Sequence, residues 1–339
     1  MNGKERILAV LNKTIPDQAP TFEWFIDKRI GRELIGSEDP IEIVEQLDID
    51  GINIRADYNQ TKIGDDVYMD EWGSKRQLTG DMIAAHRSHP IADLSKHKNY
   101  TFPDPLSPKR FTSLKKAIDR FGNKRAVILN LRDGFSDMRD LLGYENALIS
   151  MLLDPEAYME LLDRVVDYNL ILAERAVKEF GIEIVATTDD IANAGGLLIE
   201  PETYFETLGK GFSKVMKAYK DLGLRIIKHC DGDCTPVIDF WIESGIDCLD
   251  PIDPGAGLKM ETMKKQYGLK IALKGNIDCT GNLCTGTPRQ IEEEVIDCFK
   301  NGGANGGLIL SSSNTIHRGV KPENYKAMLE AIKKHGTYI

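Results

Sequence analysis

The feature of this sequence that most constrains its fold is a regular alternation of short apolar segments with longer segments of helical periodicity. Short β-branched or apolar runs separated by helical stretches are typical of parallel α/β proteins. Eight such runs are present, and eight parallel strands are the number that closes a barrel. The pattern therefore predicts an α/β fold of the (β/α)8, or TIM-barrel, class. The predicted strands are Ala19–Trp24, Gly51–Arg55, Ala126–Leu131, Ile184–Thr188, Arg225–His229, Asp247–Asp250, Lys270–Lys274 and Gly307–Ser311.

The clearest helical periodicity lies between Pro155 and Phe180, where apolar residues recur at spacings of three and four. Asp154 is placed to cap this helix, and a proline suits the first helical position. Shorter helical segments, separated by Gly or Pro, complete the alternation. Further helices are predicted at Pro201–Leu222, Pro236–Ser244, Met260–Tyr267, Pro288–Asn301 and Pro322–Lys334.

The segment from Tyr58 to Ser107 breaks the alternation, because it holds polar runs, three histidines and a cluster of prolines. We interpret it as an insertion, at about residues 58–107, in a single domain that spans residues 1–339. It is predicted to contain an antiparallel pair, Val67–Trp72 and Ser74–Leu78, that turns at Gly73. Since it follows the C-terminal end of a barrel strand, we expect it to cover an active site. The alternative is a surface excursion without contact to the chemistry.

Composition and charge argue against two classes of binding partner, nucleic acids and membranes. The chain of 339 residues has 43 basic and 53 acidic side chains, for a net charge of −10, and its basic residues are dispersed among acidic ones. This distribution excludes a basic face for nucleic acid. No apolar run approaches the ~20 residues that cross a bilayer, and the N-terminus lacks the apolar stretch of a secretion signal. We therefore expect a cytoplasmic protein that is not bound to a membrane.

All 6 cysteines lie between Cys230 and Cys298, and no CxxC pair is present. Secreted disulfide scaffolds are shorter and richer in cysteine. The cysteines are therefore expected to be reduced, buried thiols. The sequence leaves open whether the chain forms a homodimer.

Polar side chains collect at the predicted C-terminal ends of the strands, where barrel enzymes place their catalytic groups. Loops face water, so polar residues are expected there, but the number of ionisable groups that would converge on one face is unusual. In chain order these residues are Glu23, Arg55, Asp57, Asn130, Arg132, Asp189, Asp190, His229, Asp231, Asp250, Asp253, Asn276, Asp278, Ser313 and Asn314.

The most informative of these strand ends is the fifth, where an apolar run leads into His229, Cys230 and Asp231. Side chains alternate along a strand, so His229 and Asp231 share a face and Cys230 points away from it. A histidine and a carboxylate on one face suit a metal site or an acid–base pair. Two candidate ligands do not make a site, however, and the spacing alone favours a locally capped strand end.

Two further strand ends offer candidate site residues. Asp189 and Asp190 follow the fourth strand and would orient a substrate, hold a cation or cap a helix. Gly275 permits a close approach of the backbone, which would let Asn276 face the barrel axis.

From about Ile184 onward, the order and spacing of these segments resemble the uroporphyrinogen decarboxylase superfamily. That superfamily has an (α/β)8 barrel, and it contains the decarboxylase itself and the cobalamin-dependent methyltransferases of methanogens and acetogens. The resemblance implies a barrel of the uroporphyrinogen decarboxylase type. The segments that carry it are Asp70–Gly73, Asp189–Asp190, Pro201–Phe205, His229–Asp233, Glu243–Asp247, Gly275–Asp278, Gly286–Pro288 and Val320–Asn324.

Two departures from the family's patterns favour its methyltransferase branch. The decarboxylase carries N-terminal arginines that hold substrate carboxylates, whereas here the stretch Ala19–Phe25 has Glu23 and no arginine. The coenzyme M methyltransferases bind zinc through His-x-Cys and a later Cys. In this chain His229 matches, but Asp231 stands at the first Cys position and Asn314 at the second. A histidine–carboxylate set is harder than a thiolate set and suits the polarisation of an ether or alcohol oxygen.

The resemblance therefore implies a methyltransferase of the O-demethylase type. Such an enzyme moves a methyl group from a small methoxylated aromatic, or a similar donor, to a corrinoid (cobalamin) carried by a partner protein. The expected catalytic residues are His229, Asp231 and Asp190, and the expected substrate-binding residues are Glu23, Asp57, Arg132 and Asn276. Zinc is the expected metal, with His229, Asp231 and Asp253 as ligands and Cys230 as a reserve ligand.

Two alternatives remain at this stage. A decarboxylase that acts on another carboxylated substrate would need a cluster of arginines in its pocket, for which Arg55 and Arg132 are available, and no metal. A non-catalytic binding barrel would have a filled or closed pocket at the strand ends.

Overall fold

A curled, parallel β-sheet forms the centre of the fold. The computed structural model describes residues 1–79 and 84–338. Within these residues the strands are β1 (Gly51–Arg55), β2 (Gln60–Gly64), β3 (Val67–Asp70), β4 (Lys75–Gln77), β5 (Ala85–Ser88), β6 (Ala126–Leu131), β7 (Ile184–Thr188), β8 (Ala192–Asn193), β9 (Gly196–Leu197), β10 (Arg225–His229), β11 (Cys248–Ile252), β12 (Ala272–Ile277) and β13 (Leu308–Ser312). Seven of them form the central sheet, in the order β1-β6-β7-β10-β11-β12-β13, and all of its neighbouring strands are parallel.

Helices separate the strands along the chain and pack on the sheet, which buries the strands on both faces. In the described residues they are α1 (Gly3–Leu11), α2 (Lys28–Ile35), α3 (Pro40–Gln46), α4 (Thr112–Phe121), α5 (Phe135–Leu142), α6 (Tyr144–Leu153), α7 (Pro155–Phe180), α8 (Pro201–Glu206), α9 (Leu208–Asp221), α10 (Ile238–Ser244), α11 (Met260–Tyr267), α12 (Asn282–Thr285), α13 (Pro288–Gly302) and α14 (Pro322–His335). This is the predicted parallel α/β architecture. None of the helices in the described residues is both long enough and apolar enough to cross a bilayer.

Two of the predicted helices can be compared directly with the structure. Helix α7 has the predicted bounds, and the Asp154 side chain caps it by accepting a hydrogen bond from Ala157 N at 3.2 Å. The single helix predicted from Pro201 to Leu222 is wrong, because the chain breaks at Thr207 into α8 and α9. The backbone of Thr207 lies outside the helical region, and its hydroxyl donates back to Thr203 O at 2.5 Å.

The strand predicted at Ala19–Trp24 is also wrong, so the central sheet has seven strands rather than eight. This segment is extended and buried, and it contacts both edges of the sheet: Asp50 N donates to Thr21 O and Leu310 N donates to Pro20 O, each at 2.9 Å. Proline has no N–H, so the segment cannot form a regular ladder. It therefore occupies the position of the eighth strand, with one backbone hydrogen bond to each edge of the sheet.

The insertion after β1 contains a four-stranded antiparallel sheet in the order β2-β3-β4-β5. The two segments predicted to pair correspond to β3 and β4, which join through a turn at Gly73. The φ angle of Gly73 is +83°, a value that favours glycine, and Asp70 accepts a hydrogen bond from Ser74 N at 2.9 Å. Residues 80–83 of the predicted insertion lie outside the described residues.

Candidate active site

Strand β10 ends at His229, and the imidazole of this residue is the centre of a charged cluster at the C-terminal end of the sheet. The ring is 2% exposed and stacks on the indole of Trp24, with ring centroids 4.0 Å apart and an interplanar angle of 11°. Its Nδ1 lies 2.7 Å from Asp250 Oδ2. Its Nε2 lies 3.3 Å from Asp231 Oδ1 and 4.0 Å from Asp190 Oδ1. The imidazole is therefore held through Nδ1 by one carboxylate, and its Nε2 faces two others.

A buried ion pair supports this arrangement. Asp250 and Lys274 have fully buried side chains, and Lys274 Nζ donates to Asp250 Oδ1 at 2.7 Å. The two oxygens of Asp250 are thus shared between the lysine and His229 Nδ1. A carboxylate on one ring nitrogen fixes the orientation of the imidazole and directs the other nitrogen outward.

The carboxylates around His229 determine its charge. Burial lowers the pKa of His229, but the carboxylates of Asp250 and Asp231 more than offset this effect and raise it to about 10. Burial raises the pKa of Asp250, but Lys274 and His229 outweigh it and hold that pKa below its ordinary value. Without a bound cation, the imidazole therefore carries a proton at neutral pH.

Asp190 and Asp231 present carboxylates that are 30% and 36% exposed. Asp231 Oδ1 accepts from Asn314 Nδ2 at 2.8 Å, and Asp190 Oδ1 accepts from the backbone N–H of Asp231 at 3.2 Å. One nitrogen of His229 and one oxygen from each carboxylate lie within 4.8 Å of one another. A set of one imidazole and two carboxylates suits Zn²⁺ or a similar divalent cation with an open coordination position.

The His229 cluster lies in a cavity of about 350 Å³. Aromatic side chains of Trp24, Phe25 and Tyr144 line part of it. The insertion contributes other wall residues, including Arg76 and His86. The segment that interrupts the barrel therefore helps to form the cavity over the strand ends.

A second charged cluster lines the same cavity, and its centre is Asp140 on α5. The carboxylate lies 2.8 Å from Arg132 Nη1, 3.1 Å from Arg76 Nη2 and 3.2 Å from His86 Nε2. Burial raises the pKa of Asp140, but Arg132, His86 and Arg76 together hold it well below its ordinary value. Sequence reasoning identified Arg132 but missed the others. A usable signal was present, since Asp137 and Asp140 recur at a spacing of three shortly after Arg132.

The structure brings His229, Asp231 and Asp190 together, and it places Arg132 in the same cavity. Asp189, in contrast, turns away from the cavity and caps α5, because it accepts hydrogen bonds from the backbone N–H groups of Phe135 and Ser136 at 2.5 and 2.7 Å. Of the two acids after the fourth predicted strand, Asp190 therefore lines the cavity and Asp189 caps a helix.

Other residues proposed from the sequence are engaged elsewhere and do not line this cavity. Asp57 accepts from the backbone N–H and hydroxyl of Ser113, at 2.8 and 2.6 Å, near the start of α4. Asn276 lies within β12 and donates to Ile252 O at 2.8 Å. Asp253 accepts from Gly255 N at 2.8 Å and lies outside the three-residue cluster. Cys230 is fully buried, and burial raises the pKa of its thiol.

Glu23 lies next to the cavity but is buried, with its carboxylate hydrogen-bonded to the hydroxyl of Ser312. Burial raises the pKa of Glu23 to about 7 from an ordinary 4.5, although Lys274 and Ser312 lower it in part. The folded chain therefore binds this proton more tightly than the unfolded chain does. The contribution of Glu23 to stability is present at low pH and is lost as the pH rises from 4.5 through 7.

Replacing Glu23 by Gln, which resembles the protonated acid, is therefore expected to remove this pH dependence. Between pH 5 and pH 8 the free energy of unfolding of the variant should improve relative to wild type by about 2–3 kcal/mol. Urea denaturation at both pH values measures the difference, with the exposed Glu330→Gln as a control. A constant difference between the two pH values would show that Glu23 is already ionised when the protein is folded at pH 5.

Comparisons with known proteins agree with the fold. A family model described as Uroporphyrinogen decarboxylase (URO-D) matches residues 72–335. The uroporphyrinogen decarboxylase of Pseudoalteromonas atlantica is 28% identical over 191 residues, which cover 54% of this chain and 50% of that protein. That of Mannheimia succiniciproducens is 27% identical over 192 residues, with coverages of 55% and 50%. The chain thus spans about half the length of these curated relatives.

Among solved structures, a methyltransferase from Methanosarcina mazei has a TM-score of 0.76 to this chain. The two are 18% identical, and the match covers 98% of this chain and 99% of that one. At this level of identity the likeness establishes a shared fold.

Proposed function

Because the chain belongs to the uroporphyrinogen decarboxylase family, we propose that it is a methyltransferase that moves a methyl group from a small methoxylated donor to a corrinoid. The corrinoid would be carried by a partner protein. The likeness of fold to a methyltransferase over nearly the whole chain supports this assignment within the family. The aromatic walls of the cavity, formed by Trp24, Phe25 and Tyr144, suit an aromatic donor.

The observation that carries the proposal is the cluster of Asp190, His229 and Asp231. Their ligand atoms lie within 4.8 Å of one another at the floor of an open cavity, and no thiol belongs to the cluster. Oxygen and nitrogen ligands leave a bound Zn²⁺ more Lewis acidic than thiolates do. Such a cation would supply polarisation of the methyl–oxygen bond, so that the oxygen leaves with less developed charge.

The residues around the cluster orient its side chains in a way that suits a bound cation. Asp250 holds His229 through Nδ1, which leaves Nε2 directed toward Asp190 and Asp231. Asn314 holds the Asp231 carboxylate by donating to its Oδ1. His229 would hold such a cation as the neutral imidazole, because only that form has a free electron pair on Nε2.

A second candidate function, decarboxylation of a carboxylated substrate, is favoured by one specific observation. Four arginines line the cavity, namely Arg55, Arg76, Arg132 and Arg139, which is the arrangement that such a substrate would need. Three of them, Arg76, Arg132 and Arg139, already pair with Asp140, however, which limits the charge available to a substrate. Release of CO₂ without methylation of the corrinoid would favour this candidate.

The test of the proposed function uses the purified chain, Zn²⁺, reduced free cobalamin as the acceptor and 4-methoxybenzoate as the donor. We expect methylation of the cobalamin, followed by absorbance. Asp231→Asn preserves size but removes charge, so metal affinity and rate should each fall by at least about 10-fold. Asp253→Asn should keep both, since asparagine also caps the turn at Gly255.

Full activity and metal content in Asp231→Asn would contradict the assignment of this carboxylate as a ligand. If Asp253→Asn lost the metal instead, the ligand set inferred from the sequence would be correct and the set supported by the geometry would be wrong.

A further inference from the structure

Arg55 differs from the other arginines of the cavity because it is not paired with a carboxylate. It ends β1, its side chain is exposed to the cavity, and its guanidinium lies over the ring of Phe25, 4.6 Å from the centroid. It forms no ion pair with any carboxylate in the part of the chain that the structure describes. Arg76 and Arg132, in contrast, are each bound to two carboxylates. Arg55 is thus held in place by stacking and has its N–H donors available.

Two buried side chains near Arg55 each have a polar atom without a hydrogen-bond partner within the described residues. Asn130 is 4% exposed; its Oδ1 accepts from Thr188 Oγ1 at 3.0 Å, and its Nδ2 has no partner. Ser136 is 2% exposed, and its hydroxyl has no partner. Buried polar groups are nearly always hydrogen-bonded, so two unpaired donors in one region indicate a ligand that accepts from them.

These unpaired groups line two cavities that meet at the arginines. Ser136 lines the cavity of about 350 Å³ that holds the His229 cluster. Asn130 lines a neighbouring cavity of about 390 Å³ beneath the insertion. Arg55 and Arg132 line both cavities. Arg55 therefore lines one cavity together with Asn130 and the other together with Ser136.

The ion pairs around the junction show which guanidinium can take a further anion. Four arginines and five carboxylates line the two cavities, namely Arg55, Arg76, Arg132 and Arg139 with Asp70, Asp137, Asp140, Asp190 and Asp231. Arg76, Arg132 and Arg139 each pair with Asp140, whereas no ion pair of Arg55 occurs in the described residues. A ligand with one carboxylate finds a partner in Arg55, whereas a ligand with many carboxylates would not find partners for them.

We propose that Arg55, with the amide of Asn130 and the hydroxyl of Ser136, forms a subsite for one carboxylate group of the substrate. The planar guanidinium binds a carboxylate through two parallel hydrogen bonds, which gives orientation as well as affinity. This inference rests on the proposed function in one respect: it makes the methyl donor a monocarboxylate whose methoxy group faces His229. Arg55 and Ser136 line the same cavity as the His229 cluster, so the subsite would hold one end of the donor while the other end reacts.

Calorimetric titration of the full chain tests the subsite without any methyl transfer. The probes are 4-methoxybenzoate and its neutral isostere 4-methoxybenzamide, with phenyl phosphate as a second anion. We expect the benzoate to bind about 10- to 100-fold more tightly than the benzamide, because it forms charge-assisted hydrogen bonds. Arg55→Met should abolish this preference, and Arg55→Lys should restore part of it. Arg289→Met, at an arginine whose side chain is 87% exposed on the surface, is the matched control and should bind as wild type does.

Equal binding of the benzoate and the benzamide would overturn the subsite, as would the absence of measurable binding of the benzoate. Retention of the preference in Arg55→Met would also overturn it. Tighter binding of phenyl phosphate than of the benzoate would show that the subsite is built for a phosphate and would contradict the carboxylate assignment. Circular dichroism of both Arg55 variants identifies any loss that comes from misfolding, and the Arg55→Lys variant decides the matter if Arg55→Met does not fold.

The outcomes for the subsite and for the proposed function are separable. Binding that depends on Arg55, without methylation of cobalamin by the same compound, would leave the subsite in place and contradict the methyltransferase assignment. Equal methylation of cobalamin by neutral and anionic donors would support the methyltransferase and contradict the subsite.

Discussion

Replacing His229 by Asn is expected to slow methyl transfer by at least about 100-fold while the protein remains folded. The asparagine amide can still donate to Asp250, so the buried carboxylate keeps a partner in place of Nδ1. The variant has no equivalent of Nε2, however, and Nε2 is the atom that faces Asp190 and Asp231. The rate of cobalamin methylation measures the effect, and a thermal melt run alongside checks the fold.

The choice of asparagine follows from the structure. At the level of sequence, a histidine at a strand end is expected to contribute no more than about 1 kcal/mol to stability, so His229→Ala would be a clean test. The structure shows instead that this ring is buried, stacked on Trp24 and bound to Asp250. Alanine would leave a buried carboxylate short of a partner and destabilise the fold by about 3–5 kcal/mol. A rate in His229→Asn close to that of wild type would contradict any role of Nε2 in the chemistry.

The second large effect is expected for Lys274→Met, which breaks the buried ion pair beneath His229. Both Lys274 and Asp250 have fully buried side chains, so the variant leaves Asp250 without one of its two cationic neighbours. We expect a loss of about 3–5 kcal/mol in the free energy of unfolding, because a buried charge that loses its partner keeps the cost of its desolvation. Urea denaturation measures this loss.

Lys270→Met provides the matched control for that experiment. Lys270 pairs with Asp239 at 2.9 Å, but both side chains are more than half exposed. Exposed pairs of this kind contribute about 0–1 kcal/mol. If Lys274→Met cost no more than this control, the account of a charge network that holds His229 in place would be wrong.

Most of the fold follows from the pattern of apolar runs, and its exceptions have physical reasons. The seven strands of the central sheet all lie where apolar or β-branched residues cluster. The run at Ala19–Trp24 has the same composition, but Pro20 has no N–H to donate, and the chain there forms only one backbone hydrogen bond at each edge of the sheet. The helical spacing of apolar residues continues through Thr207, although the helix breaks there. A side-chain pattern does not reveal the break, because it carries little information about the backbone conformation of one residue.

The site was predictable where the alternation of a strand determines which way a side chain points. This rule placed His229 and Asp231 on one face, and their side chains do lie together. It does not distinguish a polar residue that lines a cavity from one that caps a helix or turn. Asp57 and Asp253 have the same position at a strand end as Asp190, but they hydrogen-bond to nearby backbone N–H groups outside the cavity, whereas Asp190 lines it.

The sequence itself contains a signal of buried ion pairs near His229. Lys228 and Lys274 each end an otherwise apolar run of residues, where a charge is costly unless it is paired. Both are buried, and they pair with Asp133 and Asp250, respectively. The sequence indicates that such partners must exist, but only the fold shows which carboxylates they are.

The central claim, that Asp190, His229 and Asp231 hold a catalytic divalent cation, is tested most directly by metal content. The measurement is elemental analysis of the wild-type chain and of His229→Asn after equilibrium dialysis against Zn²⁺. We expect about one ion per wild-type chain, which is the stoichiometry of a single site with three protein ligands, and little metal in the variant. Equal metal content in the two proteins, or methyl transfer by a wild-type chain that binds no ion, would contradict it.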